Sequence, residues 1–242
     1  MRNARVEEAR AAMLALFPEG FEEVQLDGST ELAAYTDSAG EERVWHVFGG
    51  ARSTEVEEGW EDRWQTFHRP VEVGRLWIGP PWEEPAEELL AVVIDPGRAF
   101  GTGAHPTTRL CLALLQTLGT GALLDVGCGS GVLSIAAGLL GFSPVLGVDV
   151  EPAAVEATLA NARINGVTVD AQLVEPDAAL PSSDVAVVNI SLAAVGAAAE
   201  RIDAATLIAS GYLLSEQPSL AGWAHDERRT REGWAADVYR RA

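Results

Sequence analysis

The chain reads as a doubly wound, Rossmann-like α/β domain with a mostly parallel sheet, preceded by a small α+β domain. Three observations predict this. The apolar run Leu123-Leu124-Asp125-Val126 leads into Gly127, Gly129 and Gly131 at alternate positions, then into the apolar segment Val132-Leu133-Ser134-Ile135-Ala136-Ala137. Eighteen residues past Gly131 a second apolar run, 145–148, ends in Asp149. Beyond it, strand-like and helix-like segments keep alternating to residue 210. Strand, glycine turn, helix, strand, acid is the layout of a nucleotide-binding βαβ unit. Repeated βα units imply a parallel sheet with helices on both faces.

The elements follow in order. Ala4, Val6, Ala9, Met13, Leu14, Leu16 and Phe17 have helical spacing, ended by Pro18 and Gly20. Residues 21–26 and 32–36 read as short strands around an Asp27-Gly28 turn, and 43–48 as a third strand before Gly49-Gly50. Trp60, Trp64 and Phe67 recur at i, i+4 and i+7, giving an aromatic stripe that serves either packing between two domains or a ligand. Residues 71–82 form a short strand and a break, and 83–88 are an acidic loop. Residues 89–94 form another strand. The glycine- and proline-containing stretch 95–108 excludes regular structure, and a helix follows at 110–118, with Thr107 or Thr108 placed to cap it. Then come strand 122–126, helix 132–140, strand 145–149, helix 152–165, strand 168–174, strand 184–190, helix 192–203 and strand 205–210. A weak helix and an antiparallel pair at 226–231 and 234–240 complete the chain. The domain division is 1–54 for the small recognition domain, 55–88 for a linker with the aromatic helix, and 89–242 for the α/β domain.

Composition narrows the function. No apolar run approaches the ~20 residues of a membrane helix, and the N-terminus has no signal-peptide core. The expectation is a soluble, cytoplasmic protein. Cys111 and Cys128 are too few for a disulfide framework. The net charge of -19 repels phosphate backbones, so no direct nucleic-acid binding is expected. It either favours a basic partner or serves solubility alone. The four histidines are scattered without ligand spacing, so no metal is expected. Cys128 sits inside the glycine turn, but no base is near it in sequence, and small size explains it.

In such sheets ligands bind at the carboxyl ends of the strands. Here those ends carry Gly127, Gly129, Gly131, Asp149 and Asn189. Asp149 is placed to accept from both hydroxyls of a ribose, which an acceptor-only carboxylate does well. The turn is one residue tighter than the dinucleotide pattern G-x-G-x-x-G. Asp125 just before it disfavours a pyrophosphate and suits a cationic amino group. The combination points to S-adenosyl-L-methionine, which carries an ammonium and a sulfonium and no phosphate. The glycines alone also fit a turn that merely packs helix on strand.

At these residues the chain resembles the PrmA-type ribosomal protein methyltransferases, which modify the large-subunit stalk protein. The resemblance runs from about residue 60 to 211. It rests on GWEDRWQTFHRP (59–70), DPGRAFGTGAHPTT (95–108), DVGCGSG (125–131), GVDVEP (147–152) and Val188-Asn189-Ile190. It implies the seven-stranded class I methyltransferase sheet. It also implies cofactor contacts at Thr108, Gly127, Asp149 and Asn189, with Gly129 in the same turn, and a loop closing over the cofactor that contains Phe100 and His105. The family places a ferredoxin-like domain, beginning with a strand, before the catalytic one, whereas this chain begins with a helix-like segment. Ile190-Ser191-Leu192 and Ser210-Gly211-Tyr212-Leu213 also depart from the family's usual residues on the acceptor side.

The expected activity is S-adenosylmethionine-dependent N-methylation of amino groups, a lysine side chain or an N-terminal amine, on a basic ribosomal protein. The same fold acting on another protein or a small molecule is the alternative, and a cofactor-binding module without transfer is another. No residue is assigned as a dedicated catalyst. Asn189 either positions the acceptor amine or bonds its own loop.

Overall fold

The computed structural model describes residues 9, 12–13, 16–17, 22–26, 29–34, 36, 38–53, 69–96 and 101–242. The chain divides into two compact units, Met1–Arg63 and Trp64–Ala242.

In the first unit, the backbone is helical at Ala9, Ala12, Met13 and Leu16, as the spacing predicts, and Ala9, Met13 and Phe17 are buried. Strands β1 (Glu22–Leu26) and β2 (Ser29–Ala33) pair antiparallel with Leu26 opposite Ser29. That register leaves two residues for the connection, the length an Asp-Gly turn favours. β2 starts three residues earlier than its apolar residues suggest. The third expected strand is instead helix α1 (Ser38–Phe48). Glu41 in its first turn and His46 in its last complement the helix dipole. Gly49, at φ 70°, closes it with a bond to the Trp45 carbonyl. The short alternation at 43–48 is too brief to outweigh those end signals. The aromatic stripe at 60–67 and Phe100 lie outside the described residues.

The second unit holds two sheets. β3 (Val71–Val73), β4 (Leu76–Gly79) and β5 (Leu90–Val93) form a three-stranded sheet, β3 antiparallel and β5 parallel to β4. The main sheet is seven-stranded. Its strands are β6 (Leu123–Val126), β7 (Val145–Asp149), β8 (Asp170–Leu173), β9 (Ser183–Asn189), β10 (Ala204–Leu213), β11 (Trp223–Arg231) and β12 (Trp234–Arg241), in the order β11-β12-β10-β9-β6-β7-β8. β8, β7, β6, β9 and β10 run parallel, and β12 and β11 close one side antiparallel. The sheet reverses its winding between β6 and β9, which is where such folds bind ligands.

The helices are α2 (Pro106–Leu115), α3 (Val132–Leu140), α4 (Pro152–Ile164) and α5 (Leu192–Ala199). Burial alternates along β9. Val185 and Val187 join the core cluster with α2 and α3, while Ala186 and Val188 join the one with α5. Each fully buried valine or leucine contributes about 1.5–3 kcal/mol, so this two-sided core fixes the register of the central strands. Among the described residues no helix is long and apolar enough to cross a membrane.

Several boundaries differ from expectation. α2 starts four residues earlier, with His105 rather than a threonine at its cap. Pro106 forces the residue before it into an extended conformation, which His105 adopts at φ -61° and ψ 140°. The Thr107 N–H donates to His105 Nδ1 at 3.3 Å. α5 ends at Ala199 and β10 runs to Leu213. Residues 214–222 are irregular, with turns at 214–215 and 221–222, rather than the weak helix, and Pro218 and Gly222 lie inside the segment.

Candidate functional site

The glycine turn between β6 and α3 is held from both sides. Gly127 and Cys128 donate to the Val148 carbonyl at 2.8 and 3.2 Å, tying the turn to β7. Gly131 caps α3 at φ 82°, and a Cβ there would lie 2.9 Å from Thr158 Cα on α4. Only glycine fits both that conformation and that approach. Gly131 has no side chain with which to cap α3, and the Ser134 N–H in its first turn bonds back to the Asp125 carboxylate.

Asp149 ends β7. Its Oδ2 accepts from the Gly129 N–H at 3.0 Å, and its Oδ1 from the Glu151 N–H at 3.1 Å. Each carboxylate oxygen keeps further acceptor capacity. The strand ends beside it are apolar and exposed. Val150 is 50% and Leu173 55% accessible, and Leu173 pairs with Asp149.

Asp125 points the other way. It is 1% exposed and accepts from Ser134 Oγ at 2.6 Å, so it braces α3 from beneath the turn. Burial pushes its carboxyl up to about 6, against the bonds from Ser134. The acid that the sequence placed to suit a cationic amino group is thus also a support for α3. Burial likewise pushes the Cys111 and Cys128 thiols up to about 12, which keeps both protonated and inert near neutrality.

Across the switch point, Asn189 ends β9 and Thr108, 4% exposed, sits in the first turn of α2. Asn189 Nδ2 donates to Thr108 Oγ1 at 3.3 Å. Asn189 Oδ1 is buried and has no hydrogen-bond partner among the described residues. An unpaired buried acceptor is costly. Gly127, Gly129, Asp149, Asn189 and Thr108 therefore gather along one edge of the sheet, as their strand positions predict.

The loop before α2 is fastened to this edge by residues the sequence did not reveal. Ser130 Oγ donates to the Gly101 carbonyl. Asn161, 2% exposed on α4, donates through Nδ2 to the Ser130 carbonyl at 2.9 Å and accepts the Asp95 N–H at 3.0 Å. One turn on, Asn165 accepts from the Val93 N–H at 2.8 Å and donates to the Val93 carbonyl at 2.6 Å. The sequence shows only two asparagines four apart at the end of α4, Asn161 within it and Asn165 at its cap. His105 packs edge-on against Trp234 at 4.8 Å between ring centres. Burial lowers its pKa, with the Glu232 charge opposing. Among the described residues no three His, Cys, Asp or Glu side chains converge as a metal site requires.

The geometry has counterparts. A family described as "Ribosomal protein L11 methyltransferase (PrmA)" matches residues 2–242. The chain is 38% identical over 213 residues, 78% of its length and 69% of the relative's, to the ribosomal protein L11 methyltransferase of Pelobacter propionicus. It is 48% identical over 142 residues to that of Dechloromonas aromatica, covering 56% of this chain and 47% of the other. The chain spans about half the length of most of the curated relatives it matches. Among solved structures it resembles a ribosomal protein L11 methylase from Lactobacillus delbrueckii subsp. bulgaricus. The TM-score is 0.65 at 26% identity, covering 72% of this chain and 99% of that one. The sheet is that of the class I methyltransferase fold.

Proposed function

The chain belongs to the ribosomal protein L11 methyltransferase (PrmA) family, and from that premise we propose that it transfers methyl groups from S-adenosyl-L-methionine to amino groups of ribosomal protein L11. The lysine side chain and the N-terminal amine are the two acceptor types. The observation that carries the reading is the pairing, on one sheet edge, of Asp149 with an unpartnered buried acceptor at Asn189.

The residues fit the cofactor. Asp149 would accept from the ribose hydroxyls, with Val150 and Leu173 offering apolar surface to the base. The turn at Gly127 and Gly129 would let the backbone approach closely. Thr108 and Asn189 would face the reacting end. When bound, S-adenosyl-L-methionine supplies a methyl group already activated by its sulfonium. The protein's share is then alignment and exclusion of water.

The chain's own groups act on the amine. A lysine has a reference pKa of about 10.4, so it must lose a proton before it can present a lone pair. Asn189 Oδ1 accepts one amine N–H and holds the nitrogen in line, and solvent takes the released proton. Thr108 takes the Asn189 amide N–H, which would leave the amide oxygen for the acceptor. The small N-terminal unit is read as the recognition module for the protein substrate.

The test is incubation of the full chain with methyl-labelled cofactor and purified ribosomal protein L11, read by mass spectrometry. A shift in multiples of one methyl group is expected. Cofactor binding with no transfer would leave a binding module instead.

A further inference from the structure

A second apolar patch lies at the same sheet edge, on the far side of Asn189 from Asp149. Ser210 of β10 pairs with Asn189, and three residues on come Leu213 and Leu214, 42% and 50% exposed. Single exposed leucines are ordinary. What distinguishes these is how firmly the backbone beneath them is held.

The Leu213 N–H donates to the Glu216 carboxylate at 2.7 Å, and the Leu214 N–H to the Gly233 carbonyl at 2.7 Å. Arg228 spans the turn from below, donating to the Leu214 carbonyl at 3.2 Å and the Glu216 carbonyl at 2.6 Å. Arg228 is itself fixed by Asp237, 0% exposed, through Nε and Nη2, both at 2.8 Å. The Tyr212 hydroxyl donates to the same carboxylate at 2.8 Å, and His225 Nε2 lies 2.7 Å from it. Burial raises the Asp237 carboxyl, but the bonds from Arg228, Tyr212 and His225 outweigh it and hold it below its ordinary value. Leu213 pairs with Trp234, whose ring is set against His105. Glu232, in the intervening hairpin, sits at φ 50°, uncommon for a residue other than glycine.

A buried carboxylate and an arginine are thus devoted to keeping an exposed apolar turn rigid. A rigid, partly apolar surface needs no ordering when a partner arrives. Its place fits the chemistry. β10 and β12 lie one and two strand spacings from β9, about 5 and 10 Å, and Leu213 lies three residues beyond Ser210, so the patch can be met by the residues flanking an acceptor held at Asn189. Glu216 and Glu232 flank the patch, Glu232 with a side chain 60% exposed and paired to Arg231 at 3.0 Å. Such an exposed pair is weak and exchanges partners at little cost. The chain as a whole carries -19 charges.

We propose that Leu213, Leu214 and Trp234 form the docking surface for the polypeptide that flanks the acceptor amine, a basic segment whose aliphatic stems lie on the leucines and whose charges face Glu216 and Glu232. This rests on the reading of the chain as a protein methyltransferase. It makes the end of β10 and the β11–β12 hairpin a specificity element, separate from cofactor binding.

The experiment uses the full chain with Leu214→Asp and with the double variant L213S/L214S. Both positions are exposed, so the thermal midpoint and the cofactor affinity stay at wild-type values. The KM for purified ribosomal protein L11 rises about tenfold or more, and an unchanged KM overturns the surface. If the wild-type chain does not methylate that protein, the functional reading has failed. The surface is then judged by the anisotropy of a fluorescein-labelled peptide of alternating lysine and valine. Wild-type binding that weakens about tenfold in Leu214→Asp upholds it. Equal binding by both, or binding by neither, overturns it.

Discussion

Asn189 and Thr108 meet side chain to side chain at 3.3 Å, although 81 residues separate them in sequence. The contact satisfies the amide nitrogen and leaves Asn189 Oδ1 buried without a partner among the described residues. A buried acceptor in that state costs about 1–3 kcal/mol. A donor on a bound amine would relieve that cost.

Replacing Asn189 with leucine, similar in size, removes the orphan acceptor. The variant should be more stable by about 1 kcal/mol, a rise of a few degrees in thermal midpoint, while kcat/KM for methyl transfer falls by about 10²-fold or more. Calorimetric scanning and a transfer assay measure the two arms. A variant that is less stable yet fully active would show that Asn189 only bonds its own loop.

Asp149→Asn keeps the shape at the end of β7 and removes the charge. Bonds to a charged acceptor are worth about 1.5–3 kcal/mol each, so titration calorimetry should show cofactor affinity lower by about 10²-fold. Asp149→Ala should lose more. It also frees the Gly129 and Glu151 N–H groups that the carboxylate now holds. Equal affinity in all three proteins would remove Asp149 from the site.

Asp125 gives a pH signature. Its folded pKa is raised from 3.8 to about 6, chiefly by burial. Between those values the folded chain holds a proton that the unfolded chain has released, so stability falls as pH rises through the window and levels off above it. The total is about 3 kcal/mol once the group is ionised. Asp125→Asn should flatten this slope and be at least as stable as the wild type at about pH 7.5. Thermal midpoints from about pH 4 to 8 test it. A wild-type midpoint that climbs steadily through the window would place the Asp125 pKa below its ordinary value.

Asn161 joins Asp95 to Ser130. Asn161→Ala strands the buried Ser130 carbonyl, at about 1–3 kcal/mol, and frees the part-buried Asp95 N–H. Ser130→Ala cuts the separate link to Gly101. Because both links fasten one loop to one turn, their effects on cofactor affinity should be less than additive. A double-mutant cycle by calorimetry measures the coupling, and strict additivity would mean that the links act independently.

Much of this architecture was legible from residues alone, and the reasons are local. The turn at Gly127, Gly129 and Gly131 and the acid at Asp149 announce a strand end, a helix start and a ligand edge within 25 residues. The alternation after Leu123 foretold the parallel sheet, and the antiparallel pair was visible in Trp234 and Tyr239. Helix α1 was missed because its evidence lies at its ends, in Glu41 and Gly49, while its middle alternates like a strand. The burial of Asp125 was not legible, because it depends on the packing of α3. Asn161 and Asn165 escaped because their partners are backbone groups 66 and 72 residues away, which no spacing encodes. Asn189 was legible as a position, but its orphan oxygen was not. That depends on what Thr108 leaves unpaired.

The kink at Gly211 closes the sheet edge in a way that bears on how mutational data would look. β10 shifts register between Ser210 and Tyr212, and a Cβ on Gly211 would lie 1.5 Å from the Ile190 carbonyl oxygen, with φ at 102°. No side chain can be accommodated there without moving the backbone that follows Asn189. In a saturation library selected for transfer, position 211 would therefore score as intolerant as any residue touching the reactants. Its intolerance would register a collision with backbone, and a map of essential positions would draw the reactive centre one strand too wide.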